Sequence, residues 1–91
     1  MNKFTWDESK RLANIVKHGL DFIIAVELFD GRGMISAQSP RDEEMRFVSV
    51  CEGRSRYIAV IWTWRSDARR IISIRRARDV EKKAYEDVFG G

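Results

Sequence analysis

The stretch Arg56-Tyr57-Ile58-Ala59-Val60-Ile61-Trp62-Thr63-Trp64 is apolar on both alternations of an extended chain. A strand of that kind is buried on both faces, so it belongs near the middle of a sheet with helices over one side and further structure over the other. Three more β-branched or aromatic runs flank it, at residues 33–38, 45–51 and 69–76. The connections Glu52-Gly53-Arg54-Ser55 and Arg65-Ser66-Asp67-Ala68 are short enough for hairpins, whereas Ser39-Pro40-Arg41-Asp42-Glu43-Glu44 reads as a longer polar loop. The four runs are expected to be successive antiparallel strands.

Ahead of them the period is helical. A short apolar stretch, Phe4-Thr5-Trp6, precedes Asp7, a good N-cap, and Leu12, Ile15 and Val16 follow at helical spacing. Lys17 and His18 suit the carbonyl end of a helix, and Gly19 suits its left-handed stop, which predicts a helix from Glu8 to His18. Asp21 can cap a second helix in which Phe22, Ala25, Val26 and Phe29 share a face, ended by Asp30-Gly31. After the strands, Asp79 can cap a terminal helix through about Val88, with Val80, Ala84 and Val88 spaced by four and Gly90-Gly91 after it. The order β-α-α-β-β-β-β-α predicts an α+β fold, an antiparallel sheet packed with helices. Ninety-one residues, 44% of them hydrophobic, amount to one domain over residues 1–91.

Several chemistries have no residues to carry them. A single cysteine, Cys51, forms no internal disulfide, and with one histidine there is no Cys/His cluster for structural zinc. The chain has no P-loop, no His-Glu-x-x-His and no Gly-x-Ser-x-Gly elbow, so neither metal nor cofactor is expected. No apolar run approaches the roughly 20 residues that span a bilayer, and Met1 to Asp7 lacks the apolar core of a signal peptide. A cytoplasmic protein without a membrane partner is the expectation.

Charge points elsewhere. Residues 45 to 78 hold nine arginines and no lysine against two acids, Glu52 and Asp67, while both flanks are net acidic. Guanidinium groups are planar and contact phosphate or carboxylate in bidentate fashion, so this segment is the footprint of a protein that meets an anionic partner, nucleic acid first and an acidic protein second. Strand alternation puts Arg70, Ile72, Ile74 and Arg76 on one side of the last strand and Arg69, Ile71, Ser73 and Arg75 on the other. Arg75 and Arg76 thus have different roles, one lining a groove. Arg69 and Arg70 read as edge protection. Arg65 falls at the far end of the preceding strand, so a pocket with all three would have to run along the strands. His18 is of the one residue type suited to proton transfer near neutrality, yet its place in the last helical turn equally suits a dipole contact. Glu81 and Tyr85, four apart on the terminal helix, can serve a site or anchor the helix on Arg75 or Arg76; the anchoring role is favoured for Glu81. Of the tryptophans, at least one of Trp62 and Trp64 belongs with Ile58 and Val60 in the core.

Phe4-x-Trp6-Asp7, Lys10, Asn14, Lys17-His18-Gly19, Phe22, Ala25 and Phe29-Asp30 resemble the N-terminal half of the BrnT toxins. Arg70-Ile71-Ile72-Ser73-x-Arg75-Arg76-Ala77, with Glu81 and Tyr85, resembles their C-terminal signature. Gly31 and Ile74 depart from the family's usual Pro and Ala without removing a polar group. The resemblance implies a RelE-like fold and a type II toxin that inhibits translation by cutting RNA. It further implies a cognate BrnA-type antitoxin with a ribbon-helix-helix portion, and operator DNA bound only through the toxin–antitoxin complex. Metal-free RNA cleavage needs a proton acceptor, a proton donor and cations around the phosphorane-like transition state. On that chemistry Arg75 or Arg76, with Arg65, stabilises phosphate; His18 or Tyr85 transfers protons; Lys17, Arg46, Arg54 and Arg56 track the substrate. Arg76→Ala is then expected to abolish growth inhibition in a folded protein. The alternative is a non-enzymatic basic module that binds nucleic acid or an acidic protein through the same arginines.

Overall fold

The computed structural model describes residues 3–41 and 43–90. β1 (Phe4–Thr5), α1 (Glu8–His18) and α2 (Phe22–Leu28) precede β2 (Ile35–Arg41), β3 (Glu44–Gly53), β4 (Arg56–Arg65) and β5 (Ala68–Arg76), and α3 (Asp79–Phe89) follows. The architecture is α+β in the expected order. One sheet holds the five strands in the order β1-β5-β4-β3-β2. β2 to β5 are antiparallel neighbours, but β1 runs parallel to β5 through Phe4↔Arg69 and Thr5↔Arg70, so the sheet is mixed rather than wholly antiparallel. No helix of the described residues is long and apolar enough to cross a membrane.

β4 occupies the middle, as its two apolar faces require. Ile58, Val60 and Trp62 meet Leu20, Phe22, Ile24, Ala25 and Leu28, together with Cys51, Ile71 and Ile74. Fully burying a large apolar side chain is worth about 2 kcal/mol. Phe22 and Leu28 therefore hold α2 in place, since seven residues of helix are not stable on propensity alone. The buried face of α2 is Phe22, Ile24, Ala25 and Leu28; Val26 and Phe29, expected on that face, are only half-buried, and Phe29 caps the helix rather than belonging to it.

α1 begins and ends where its caps dictate: Asp7 accepts from the N–H groups of Ser9 and Lys10, and Gly19 turns left-handed at φ 69°. Its apolar stripe is not its buried face. Leu12 and Val16 are exposed, and the buried residue of α1 is Asn14. Arg11 fixes α1 against α2 by donating to both oxygens of Asp21, at 2.9 and 3.2 Å, while Asp21 also caps α2 at Ile23 N–H.

Three further departures follow. The loop expected at Ser39–Glu44 is instead strand: β2 runs on through Ser39, Pro40 and Arg41, and Arg41 pairs with Glu44 across a tight turn. Asp42 lies outside the described residues. Pro40 is tolerated because β2 is the edge strand, where a missing N–H costs no ladder bond on the outer side. In β5 the alternation breaks. The register passes from Ile61↔Ser73 to Trp62↔Ile71, leaving Ile72 as a bulged residue, so Ile71 and Ile74 are both buried against the helices instead of facing opposite ways. At α3, Arg78 occupies the N-cap and Asp79 is the first helical residue rather than the cap.

Candidate active site

The sheet face turned away from α1 and α2 carries Val48 of β3, Ile61 of β4 and Ser73 of β5. α3 lies over one end of that face, where Val80 and Ala84 line an apolar hollow with Ile35 and Val50. The other end is open, a cleft of about 450 Å³ floored by Val48, Ile61 and Ile72. Ser39, Arg41 and Arg46 come to it from β2 and β3, and Ser73, Arg75 and Arg78 from β5 and the turn beyond. α1 runs along the outer edge of β5, so its last turn brings Lys17 and His18 to the same cleft. Among the described residues five cations and one histidine line it, and no carboxylate does. Such a site attracts an anion, and its apolar floor offers a flat surface beside the charges.

Arg75 is held firmly. Its guanidinium donates to both oxygens of Glu81 at 2.7 and 3.0 Å and to the Arg76 carbonyl at 3.2 Å. Glu81 also accepts the Arg78 N–H at 2.8 Å, closing the N-terminus of α3. The two side chains are only 17% and 19% exposed. Bonding to Arg75 lowers the Glu81 carboxyl below its ordinary range, and the same bond raises Arg75. Glu81 is thus the anchor of α3, the role favoured for it from sequence. On the opposite wall Arg46 reaches Glu44 at 3.4 Å, and Glu44 takes a closer bond from Arg65 at 2.9 Å. Arg65, first, and Arg46 keep Glu44 below the usual carboxylate range.

Of the residues singled out in sequence, Lys17, His18, Arg46 and Arg75 come together in the cleft. The others lie elsewhere. Arg65 is on Glu44 at the far end of β4. Arg54 is clamped by Glu27 of α2 at 2.8 Å, and Arg56 joins it around a separate hollow with Gly19, Leu20 and Ile24 on the helical side of the sheet. Arg76 is exposed and faces away from Arg75, and its side chain makes no hydrogen bond or ion pair among the described residues. Tyr85 packs edge-on against Tyr57 at 5.5 Å and beside Phe89. The arginines of β4 and β5 therefore do not converge. Arg69, read as edge protection, instead lies over the rings of Phe29, Trp62 and Trp64 at 4.6, 5.1 and 4.9 Å. Trp62 is core and Trp64 is 47% exposed.

Sequence reasoning passed over Ser39, Arg41, Ser73 and Arg78 as cleft residues. For Arg41 the missed signal was alternation continuing through Pro40, which puts Arg41, Ser39 and Ala37 on one face.

A family model described as "Ribonuclease toxin, BrnT, of type II toxin-antitoxin system" matches residues 6–81. The chain belongs to the BrnT family. All of the cleft residues fall within the matched span, as does Glu81, while most of α3 lies beyond it. BrnT proteins are ribonuclease toxins, and membership in a type II system implies an antitoxin partner. Comparison with curated proteins finds no match.

Proposed function

We propose that this BrnT-family chain is a metal-independent endoribonuclease that inhibits translation in the cytoplasm and is neutralised by a BrnA-type ribbon-helix-helix antitoxin, the complex binding operator DNA. The observation that carries the catalytic part is the cleft lined by Lys17, Arg41, Arg46, Arg75 and Arg78 with His18 beside them and, among the described residues, no carboxylate. Donors of this kind suit a phosphate and its more highly charged transition state. A cationic lining also repels a metal ion, and the described residues contain no cluster of three His, Cys, Asp or Glu side chains.

The reaction that fits is attack of a ribose 2′-oxygen on the adjacent phosphorus. The 2′-hydroxyl loses its proton to a base, the bond to the 5′-oxygen breaks, and that oxygen takes a proton, leaving a 2′,3′-cyclic phosphate and a 5′-hydroxyl. His18, at the cleft, is the proton-transfer candidate that the geometry favours over Tyr85, which packs on Tyr57. Arg75, oriented by Glu81, and the exposed Lys17 stabilise the phosphorane, and Arg41 and Arg46 guide the strand. Phosphate stabilisation moves from Arg76 and Arg65 to these residues because both of the former lie outside the cleft.

The test is incubation of the purified chain, free of antitoxin, with single-stranded RNA in a chelator. New ends bearing cyclic phosphate and 5′-hydroxyl are expected. RNA bound by a folded chain and left uncut would favour the non-enzymatic binding module.

A further inference from the structure

Asn14 and Ser73 form a polar pair at the edge of β5 in which donor and acceptor are fixed by the bonding. The Ile74 N–H can only donate, so the Asn14 atom 3.2 Å from it is the carbonyl oxygen, Oδ1. The other amide atom meets two carbonyl oxygens, of Leu20 and Ile74, each at 2.8 Å, and is therefore the NH₂ group. Ser73 Oγ lies 3.1 Å from Oδ1, an atom without a hydrogen, so the one hydroxyl proton of Ser73 is committed to Asn14. What Ser73 presents to the cleft is lone pairs.

The rest of the lining has the reverse character. Lys17, Arg41, Arg46, Arg75 and Arg78 donate and cannot accept, while His18 and Ser39 can do either. A phosphate, all acceptors, satisfies the cations and has nothing to give Ser73. The partner of Ser73 is a donor held next to a phosphate, and in RNA the donor beside every phosphate is the ribose 2′-hydroxyl. Ser73 and Arg75 sit two residues apart on one face of β5, about 6.8 Å along the strand. Arg75 can hold a phosphate while Ser73 meets the sugar attached to it.

We propose that Ser73 Oγ accepts a hydrogen bond from a ribose 2′-hydroxyl and so gives the cleft its preference for RNA over DNA. This rests on the cleft being the RNA site. Ser73 is a binding residue here, and it discriminates at the sugar, not the base.

Nucleoside 3′-monophosphates test it, because they carry sugar and phosphate but no 5′-linked leaving group and cannot be cut. The full chain is titrated by NMR with each of the four ribonucleotides and its 2′-deoxy counterpart. The wild type should bind every ribo form about three- to tenfold more tightly, the range for one net hydrogen bond. Ser73→Ala should bind both forms with the wild-type deoxy affinity, and Ser73→Thr, which keeps the hydroxyl, should retain the preference. A ribo preference that survives Ser73→Ala overturns the assignment and leaves the cleft reading standing. Equal weakening of both forms also overturns it, since that is what a structural effect or a base contact would give. If neither form shifts resonances of cleft residues, the RNA reading of the cleft fails and this inference fails with it.

Discussion

The side-chain amide of Asn14 makes both backbone bonds of Ile74: the Ile74 N–H donates to Oδ1 at 3.2 Å, and Nδ2 donates to the Ile74 carbonyl at 2.8 Å. A carboxamide has the donor–acceptor spacing of a peptide group, so Asn14 stands in for a strand on the edge of β5. The need arises because, among the described residues, β1 pairs with β5 only at Arg69 and Arg70. Beyond that point the buried backbone of β5 would have no neighbour on that side, and α1 supplies one. The same contact sets α1 along the edge, and with it the approach of Lys17 and His18 to the cleft.

Asn14→Ala should therefore be costly despite removing a small polar side chain. It leaves the Ile74 N–H and the Ile74 and Leu20 carbonyls short of partners in a buried setting, for a loss of roughly 2–4 kcal/mol. Urea denaturation checks this through the midpoint, with the m-value unchanged. A loss below 1 kcal/mol would mean that water replaces the amide.

Acid should loosen α3 before it unfolds the sheet. The Glu81 carboxyl is lowered in the folded state, chiefly by its bonds to Arg75. Its contribution is fully present above the ordinary glutamate range and is lost as pH falls through the depressed folded value. Amide exchange along α3 should rise over that acidic interval in the wild type. Glu81→Gln should show fast exchange already at neutral pH and lose this dependence.

Arg54 and Ser55, in the β3–β4 turn, both have positive φ, 53° and 62°. Two-residue hairpin turns demand this geometry, and a β-carbon disfavours it. Ser55→Gly should raise stability by up to about 1 kcal/mol, seen as a higher melting temperature, with RNA binding unchanged. A lower melting temperature would mean that the extra chain entropy of glycine outweighs the relief.

RNA binding should weaken steeply with salt, since each phosphate contact releases a counterion. Lys17→Ala should reduce the slope of log affinity against log salt by about 0.7, the value for one contact on a single strand. Arg54→Ala, with its charge already matched by Glu27, should leave the slope alone. Equal effects of the two substitutions would argue against a single track through the cleft.

Local signals made much of this fold legible. Asp7 and Gly19 mark the ends of α1 because capping is a short-range property, and the two-sided apolar pattern of β4 announces its central place. What depended on tertiary placement was hidden. The continuation of β2 through Pro40 is allowed only by its position at the sheet edge. The bulge at Ile72 shifts the faces of β5 by one residue, which no count of alternation along Arg69 to Arg76 can anticipate. On α1 the apolar residues Leu12 and Val16 advertise the wrong face, since the helix is seated by a polar residue that pairs with backbone. The site suffered accordingly. A run of arginines in sequence suggested convergence, but neighbours on a strand diverge, and the cleft draws its cations from β2, β3, β5, the turn before α3 and the end of α1.

The most direct measurement compares RNA cleavage rates of two pairs of folded variants under identical conditions. Lys17→Ala and Arg46→Ala alter the cleft, while Arg56→Ala and Arg76→Ala remove charge outside it. The account predicts at least a tenfold loss of rate for the first pair, about 1.4 kcal/mol of transition-state stabilisation, and rates within twofold of wild type for the second. Full activity in the first pair with loss in the second would place the chemistry on the other side of the sheet and contradict it.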